Sequence, residues 1–223
     1  MRQIILNFHG IGNTSRIMEP GEARYWVSPS FFEETLAMAD HYKDRVCTDF
    51  TFDDGNLSDL EIAAPGLARH GRKAMFFVLA DRIGTTGSLG ADDIRALAEA
   101  GHEIGTHGAA HTDWSSAKPT VLKRELGHIT RDAIAMAAGQ PVRAAAIPFG
   151  RYNSKVLKAL SDYGYDRVYS SDGGAWKAGQ KPVPRTSPRA DMTLKDIENI
   201  LIGADPVRNR LRRALSGYVK RTL

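Results

Sequence analysis

The chain has 223 residues, 42% of them hydrophobic and 25% charged, a balance that fits one soluble globular domain with a sizeable core and excludes a disordered or fibrous chain. A single cysteine, Cys47, excludes an intrachain disulfide. The opening MRQIILNFHG holds too short an apolar run for a secretion signal or a bilayer span, so a cytoplasmic chain is expected. The net charge of +4 is uneven: Arg208, Arg210, Arg212, Arg213, Lys220 and Arg221 stand against Asp205 in the last twenty residues, which leaves the remainder slightly acidic and gives no reason to expect nucleic-acid binding.

Apolar runs and helical patterns alternate along the chain. Ile4 to Phe8 reads as a first strand. Ser28-Pro29 supplies a cap and a first-turn proline for a helix carrying Phe31, Phe32, Leu36 and Met38, and Ser30 with Glu33 fits a capping box. Val46 to Phe52 is the second strand, Leu57 to His70 a helix stopped by Gly71, and Ala74 to Leu79 the third strand. GADDIRALAEAG is a helix closed by Gly101, followed by a short strand to Gly105. Pro119 to Ala138 reads as one long helix, Ala144 to Ile147 as a strand, Ser154 to Tyr163 as a helix, Arg167 to Ser170 as a strand and Thr193 to Leu201 as a helix. Six or seven successive β-α units predict a parallel α/β fold, either a barrel or an open doubly wound sheet. No glycine-rich phosphate loop follows the first strand, which weakens a nucleotide-binding reading.

Chemistry-bearing residues gather just after the strands. His9 follows the first, Asp53 and Asp54 end the second in TFDDG, His107 and His111 follow the fourth in HGAAH, and Pro148-Phe149-Gly150 follows the fifth. That face is where parallel α/β folds build sites. Taken singly, Asp-Asp-Gly is usually a turn, an HxxxH pair is weak without a glutamate between, and a proline-glycine stretch ends many strands. Taken together, one carboxylate and two imidazoles make an open ligand set for a catalytic metal ion, with the second carboxylate free to take a proton from water.

In this order the motifs resemble the polysaccharide deacetylase family (NodB-homology, carbohydrate esterase family 4) over about Ile4 to Gly203. TFDDG matches the family's first motif, GHEIGTHGAAH is similar to its second, AIPFG to its third, and SDYGYD to its usual helix end before the next strand. The resemblance implies a distorted (β/α)7 barrel in a single domain, 1–203, and metal-dependent removal of an acetyl group from a sugar. It implies Asp53 as general base, Asp54, His107 and His111 as ligands of a divalent metal with zinc the first choice, and Pro148, Phe149 and Gly150 as substrate-binding. Three positions depart from the family pattern: Gly108 replaces Ser or Thr, Ala146 replaces the arginine that orients the base, and ILIGAD holds no histidine where Leu-x-His supplies the acid. His9, Arg185 and Arg189 are the candidate substitutes. N-formyl or other small-amide hydrolysis on a sugar and a non-catalytic sugar-binding role are the alternatives. Tyr25 and Trp26 in the loop before the first helix are candidates to stack on sugar or to cover the barrel edge. The tail, 204–223, spaces Val207, Leu211, Leu215, Tyr218 and Val219 as a basic amphipathic helix that would pack on the barrel or rest on an anionic membrane, near an N-acetylated sugar or lipid-linked saccharide.

Overall fold

The computed structural model describes residues 1–204 and 219–220, so the expected tail helix lies outside the described residues apart from Val219 and Lys220. Seven parallel strands form one sheet in the order β1 (Arg2–Phe8), β4 (Val46–Asp54), β5 (Met75–Val78), β6 (Glu103–Thr106), β7 (Ala144–Ala146), β8 (Arg167–Ser170) and β9 (Val183–Pro184). The ring is drawn together between its last and first strands. The amide of Thr186 donates to the Ile5 carbonyl at 2.9 Å, and the Asn7 amide donates to the Thr186 carbonyl at 2.9 Å. The result is a nearly closed seven-stranded barrel rather than an open sheet. A second, two-stranded sheet pairs β2 (Gly10–Ile11) with β3 (Trp26–Val27) beside the mouth of β1.

Strand alternation sorts side chains into two apolar layers. Leu6, Phe8, Phe52, Phe76 and Val78 face outward and pack with Phe32 and Leu36 of α1 (Pro29–His41), Ile94 and Leu97 of α3 (Ala91–Glu99) and Leu160 of α6 (Ser154–Asp162). Phe8 meets Phe32 edge-on at 5.1 Å, and each such ring contributes about 1.5–3 kcal/mol by leaving water. A smaller cluster of Ile5, Met75, Phe77, Ala144, Ala146 and Tyr169 fills the barrel itself. Gly105 makes room there, since a Cβ on it would stand 2.5 Å from the Phe77 ring.

Three local expectations are corrected. The N-cap of α1 is Ser28, whose Oγ accepts from the Phe31 amide at 3.1 Å, while Glu33 turns away to pair with Arg69 and His70; Ser30 therefore makes no capping box. The stretch from Pro119 to Ala138 is two helices, α4 (Pro119–Leu126) and α5 (His128–Ala138), divided at Gly127 where the backbone is extended. The break is stable because the carbonyls it frees are taken: the Tyr165 hydroxyl donates to Leu126 at 2.9 Å and the Thr130 hydroxyl to Arg124. The seventh strand, β9, gave no sequence signal, because a two-residue Val-Pro strand has no period to read. Elsewhere the helices fall near their expected bounds, with α2 (Ala64–Arg69) entered through a π turn at Asp59–Ala63 and α7 (Leu194–Ile202) opened by a Thr193–Asp196 capping box.

Candidate active site

Adjacent strand residues normally point to opposite faces, yet Asp53 and Asp54 reach the same histidine. The cause is the backbone of Asp54, whose φ of 80° lies in the left-handed region and swings its carboxylate toward the barrel mouth. His107 Nε2 stands 3.8 Å from Asp53 Oδ2 and 3.7 Å from Asp54 Oδ1. All three side chains are buried.

Asp53 is held from below by Arg185, which is wholly buried inside the barrel. The guanidinium donates through Nη1 to Oδ1 at 2.7 Å and through Nη2 to Oδ2 at 2.8 Å, while the Asn7 amide donates to Oδ2 at 2.9 Å. Nη1 of Arg185 also donates to Asn7 Oδ1 at 2.7 Å, and the group lies over the rings of Phe77 and Tyr169. Burial alone would raise the Asp53 carboxyl, but the field of Arg185, assisted by His107, holds its pKa well below the usual carboxylate range. Of the two arginines considered from sequence, Arg185 thus takes the place beside Asp53 that Ala146 leaves empty, and Arg189 pairs with Asp191 at 2.9 Å instead.

Both imidazoles turn Nδ1 to an acceptor, which places the proton there in each. His107 Nδ1 lies 2.9 Å from the Ala146 carbonyl, which can only accept, and His111 Nδ1 lies 2.9 Å from Glu19 Oε2. Both Nε2 lone pairs are therefore left for a ligand. Burial pushes His107 down to about 4 against the opposing fields of Asp53 and Asp54, so it is neutral, as ligation requires. Asp54 Oδ1 is buried without a hydrogen-bond partner among the described residues and stands 3.6 Å from His111 Nε2. Tetrahedral bonds of about 2.0–2.2 Å place ligand atoms on the order of 3.3–3.6 Å apart. One atom from each of Asp54, His107 and His111 lies within 4.8 Å of the others, so the trio could hold a divalent ion, and the orphaned carboxylate oxygen is what such an ion would satisfy.

The loop carrying both histidines is steadied by Glu125 of α4, a wholly buried carboxylate that sequence reasoning missed. It accepts from the amides of Ala109 at 2.9 Å and Ala110 at 3.2 Å, and from the Trp114 indole at 3.3 Å. This explains Gly108. Its φ is +95°, and a Cβ there would stand 2.3 Å from Glu125 Oε2; the carboxylate fills the space a serine or threonine would need. Gly108→Ser, which restores the family residue, is therefore expected to destabilise the fold by about 1–3 kcal/mol through overpacking and to weaken metal affinity by about tenfold. Urea denaturation and a zinc titration measure the two effects.

His9 lines the same cleft. Its ring stacks on Tyr25 at 4.8 Å, and its buried Nδ1 has no hydrogen-bond partner among the described residues. Phe149 of the Pro148–Gly150 turn is half exposed, has a φ of 57°, and packs on His111 at 4.4 Å. Trp26 is buried against Gly10, and its indole donates to Glu22 at 3.2 Å, so only Tyr25 of the two loop aromatics lines the cleft. The cleft encloses about 380 Å3. A larger hollow of about 540 Å3 opens at the other end of the barrel near Gln3, Glu103 and Arg167, away from every residue of the trio.

Asp59 lies on the π turn close to the paired aspartates and was also missed. It is fully buried, and neither carboxyl oxygen has a side-chain partner among the described residues. Burial, reinforced by the charges of Asp54 and Asp53, raises its pKa well above the usual range. Its unfolded-state value is about 3.9, so above that pH the unfolded chain gains from ionisation that the folded chain refuses, and stability falls as pH rises toward the folded value. Asp59→Asn is expected to be more stable than the parent at pH 7, with the gain shrinking toward zero below about pH 4. Melting curves across that range test this.

The profile of the polysaccharide deacetylase family matches residues 42–168. That span is more than half of the sequence, and the chain belongs to this family. YxkH of Bacillus subtilis (strain 168), a protein named for the same family, is 28% identical over 182 residues, covering 77% of this chain; the chain spans 65% of the length of that relative. Among solved structures, the Streptococcus pyogenes deacetylase PplD in complex with acetate superposes with a TM-score of 0.76 at 23% identity, over 92% of this chain and 99% of that one. A polysaccharide deacetylase from Bacillus cereus gives 0.75 at 20% identity over 90% and 69%, and IcaB from Ammonifex degensii gives 0.72 at 19% over 92% and 97%. These likenesses establish the barrel fold. Among the described residues no helix is long and apolar enough to cross a membrane.

Proposed function

We propose that the chain is a metal-dependent hydrolase that removes the acetyl group from the nitrogen of an N-acetylated sugar or lipid-linked saccharide in polysaccharide or glycoconjugate assembly. The observation that carries this reading is the buried, unpartnered Asp54 Oδ1 facing two Nε2 atoms whose opposite nitrogens are already engaged, with a second carboxylate alongside. Asp54, His107 and His111 would hold the ion, and two imidazoles with one carboxylate suit zinc. When bound, such an ion acidifies a water and polarises the acyl carbonyl.

Asp53 accepts the proton of the attacking water. Arg185 and Asn7 keep its carboxylate ionised and pointed at the mouth. The water oxygen bonds to the acyl carbon, the carbon–nitrogen bond breaks, and the departing amine requires a proton. His9 is the candidate donor for this, since it lines the same cleft and its ring is held there by Tyr25. Of the Pro148–Gly150 turn, Phe149 alone lines the cleft, where it packs on His111 and offers the wall for the acyl group, while Pro148 and Gly150 are buried behind it and hold it in place. The guanidinium beside Asp53 supports an enzyme over a non-catalytic sugar-binding protein, because a mere binder has no need to orient a base.

The test is acetate release from N-acetylated hexosamines and their oligomers by chelator-stripped protein before and after zinc is returned. Release that depends on zinc is expected. No release from any N-acylated sugar by zinc-loaded protein would overturn the reading.

A further inference from the structure

The aromatic residues of the cleft are not bare platforms for a sugar ring. On one wall the Arg24 guanidinium lies 5.2 Å from the centre of the Tyr25 ring, which itself stacks on His9 at 4.8 Å. On another wall the Arg151 guanidinium lies 5.8 Å from the centre of the Phe149 ring, which packs on His111 at 4.4 Å. Each ring thus already holds an imidazole and a cation, and all six residues line the same cleft.

The balance of charge is as telling. Three acids of the lining are committed, Glu19 to Arg82 and His111, Glu22 to Arg16, and Asp53 to Arg185, and the fourth, Asp54, belongs to the candidate metal site. Burial would raise Glu22, but the hydrogen bond from Arg16 holds it down at about 2, so that pair is permanently neutralised. Arg151 shares one arm with Asp113 at 3.1 Å while its side chain stays two-thirds exposed, and Arg24 has no carboxylate partner among the described residues. A neutral sugar offers these guanidinium groups only single hydroxyl or carbonyl acceptors and no countercharge. Their planar forks match the oxygens of a phosphate or carboxylate, and exposed cations at a mouth also speed the arrival of an anion.

We propose that the substrate is an anionic sugar, an acylated sugar bearing a phosphate or carboxylate near the acylamino group, and that Arg24 and Arg151 read that charge. The inference rests on the hydrolase reading above and narrows its substrate class.

The experiment uses zinc-loaded Asp53→Asn protein, so that ligands bind without turnover, and three ligands that share one acetamido group. These are the neutral methyl glycoside of N-acetylglucosamine, N-acetylglucosamine 1-phosphate, and the corresponding uronic acid. Calorimetry at low salt is expected to give at least one anionic ligand a Kd about tenfold below the neutral one, and which of the two gains names the charged group. Adding Arg24→Ala and Arg151→Ala should bring the ratio toward one, while Arg24→Lys with Arg151→Lys should keep part of it. Equal Kd values for all three ligands would overturn the proposal. So would a preference that survives loss of both arginines, since the anion would then be reading the metal ion alone. A retained preference in a parent protein that releases no acetate would instead overturn the hydrolase reading and leave the anion site standing.

Discussion

Arg185→Met is expected to be the most destabilising single substitution in the barrel, at about 3–5 kcal/mol, because it leaves the Asp53 carboxylate buried without its countercharge. Both partners are sealed from solvent, at 0% and 2% side-chain exposure, so water cannot take over the lost contacts. The pH dependence follows from the sign of the shift. In the parent, the depressed Asp53 value stabilises the fold above the unfolded pKa of about 3.9, and this contribution is lost as pH falls below it toward the folded value. In the variant burial prevails, the carboxyl rises, and stability instead declines as pH climbs past that same value. The two proteins should therefore approach each other in acid and diverge toward neutrality. Arg185→Met combined with Asp53→Asn should recover much of the loss, and denaturant titrations of the four proteins isolate the coupling.

Asp53→Asn should lower kcat by about a hundredfold, toward the low end of the range for general-base catalysis. The position within that range comes from Arg185. A carboxylate held well below its ordinary pKa is always ionised but only weakly basic, so its advantage lies more in placement than in proton affinity. The amide keeps the shape, and its one oxygen can still accept from Asn7 and one arm of Arg185, so KM for the N-acetylated sugar should change little. Steady-state kinetics on one substrate separates the two parameters.

Much of the site could be read along the chain because its parts sit at strand ends. TFDDG and HGAAH each follow an apolar run, and the parallel fold gathers such ends at one mouth. What could not be read were contacts made across the barrel by residues with no local signature. Arg185 lies 132 positions from Asp53, just after a strand of two residues, where nothing in Val-Pro-Arg announces a buried guanidinium. Glu125 looks like one more charge on the solvated face of a helix, yet it is wholly buried under the histidine loop, and only the Gly108 backbone shows why a serine is missing there. Asp59 gave no warning because it reads as one more acid in the first turn of the helix expected from Leu57. The single helix expected from Pro119 onward failed at Gly127, where a tyrosine hydroxyl 39 residues away takes the carbonyl a continuous helix would have used. The convergence of two adjacent aspartates was the hardest point, since strand alternation forbids it. The left-handed backbone at Asp54 resolves it; aspartate is among the few non-glycine residues that tolerate that region, but nothing in a strand's pattern calls for it.

That convergence is also the central claim: one aspartate holds the ion and its neighbour moves the proton. Zinc titration of the parent, Asp53→Asn and Asp54→Asn proteins tests it most directly. The parent and Asp53→Asn should bind one equivalent with affinities within about tenfold of each other, while Asp54→Asn should lose tight binding. Equal loss of zinc in both variants, or tight binding retained by Asp54→Asn, would contradict the division of roles between them.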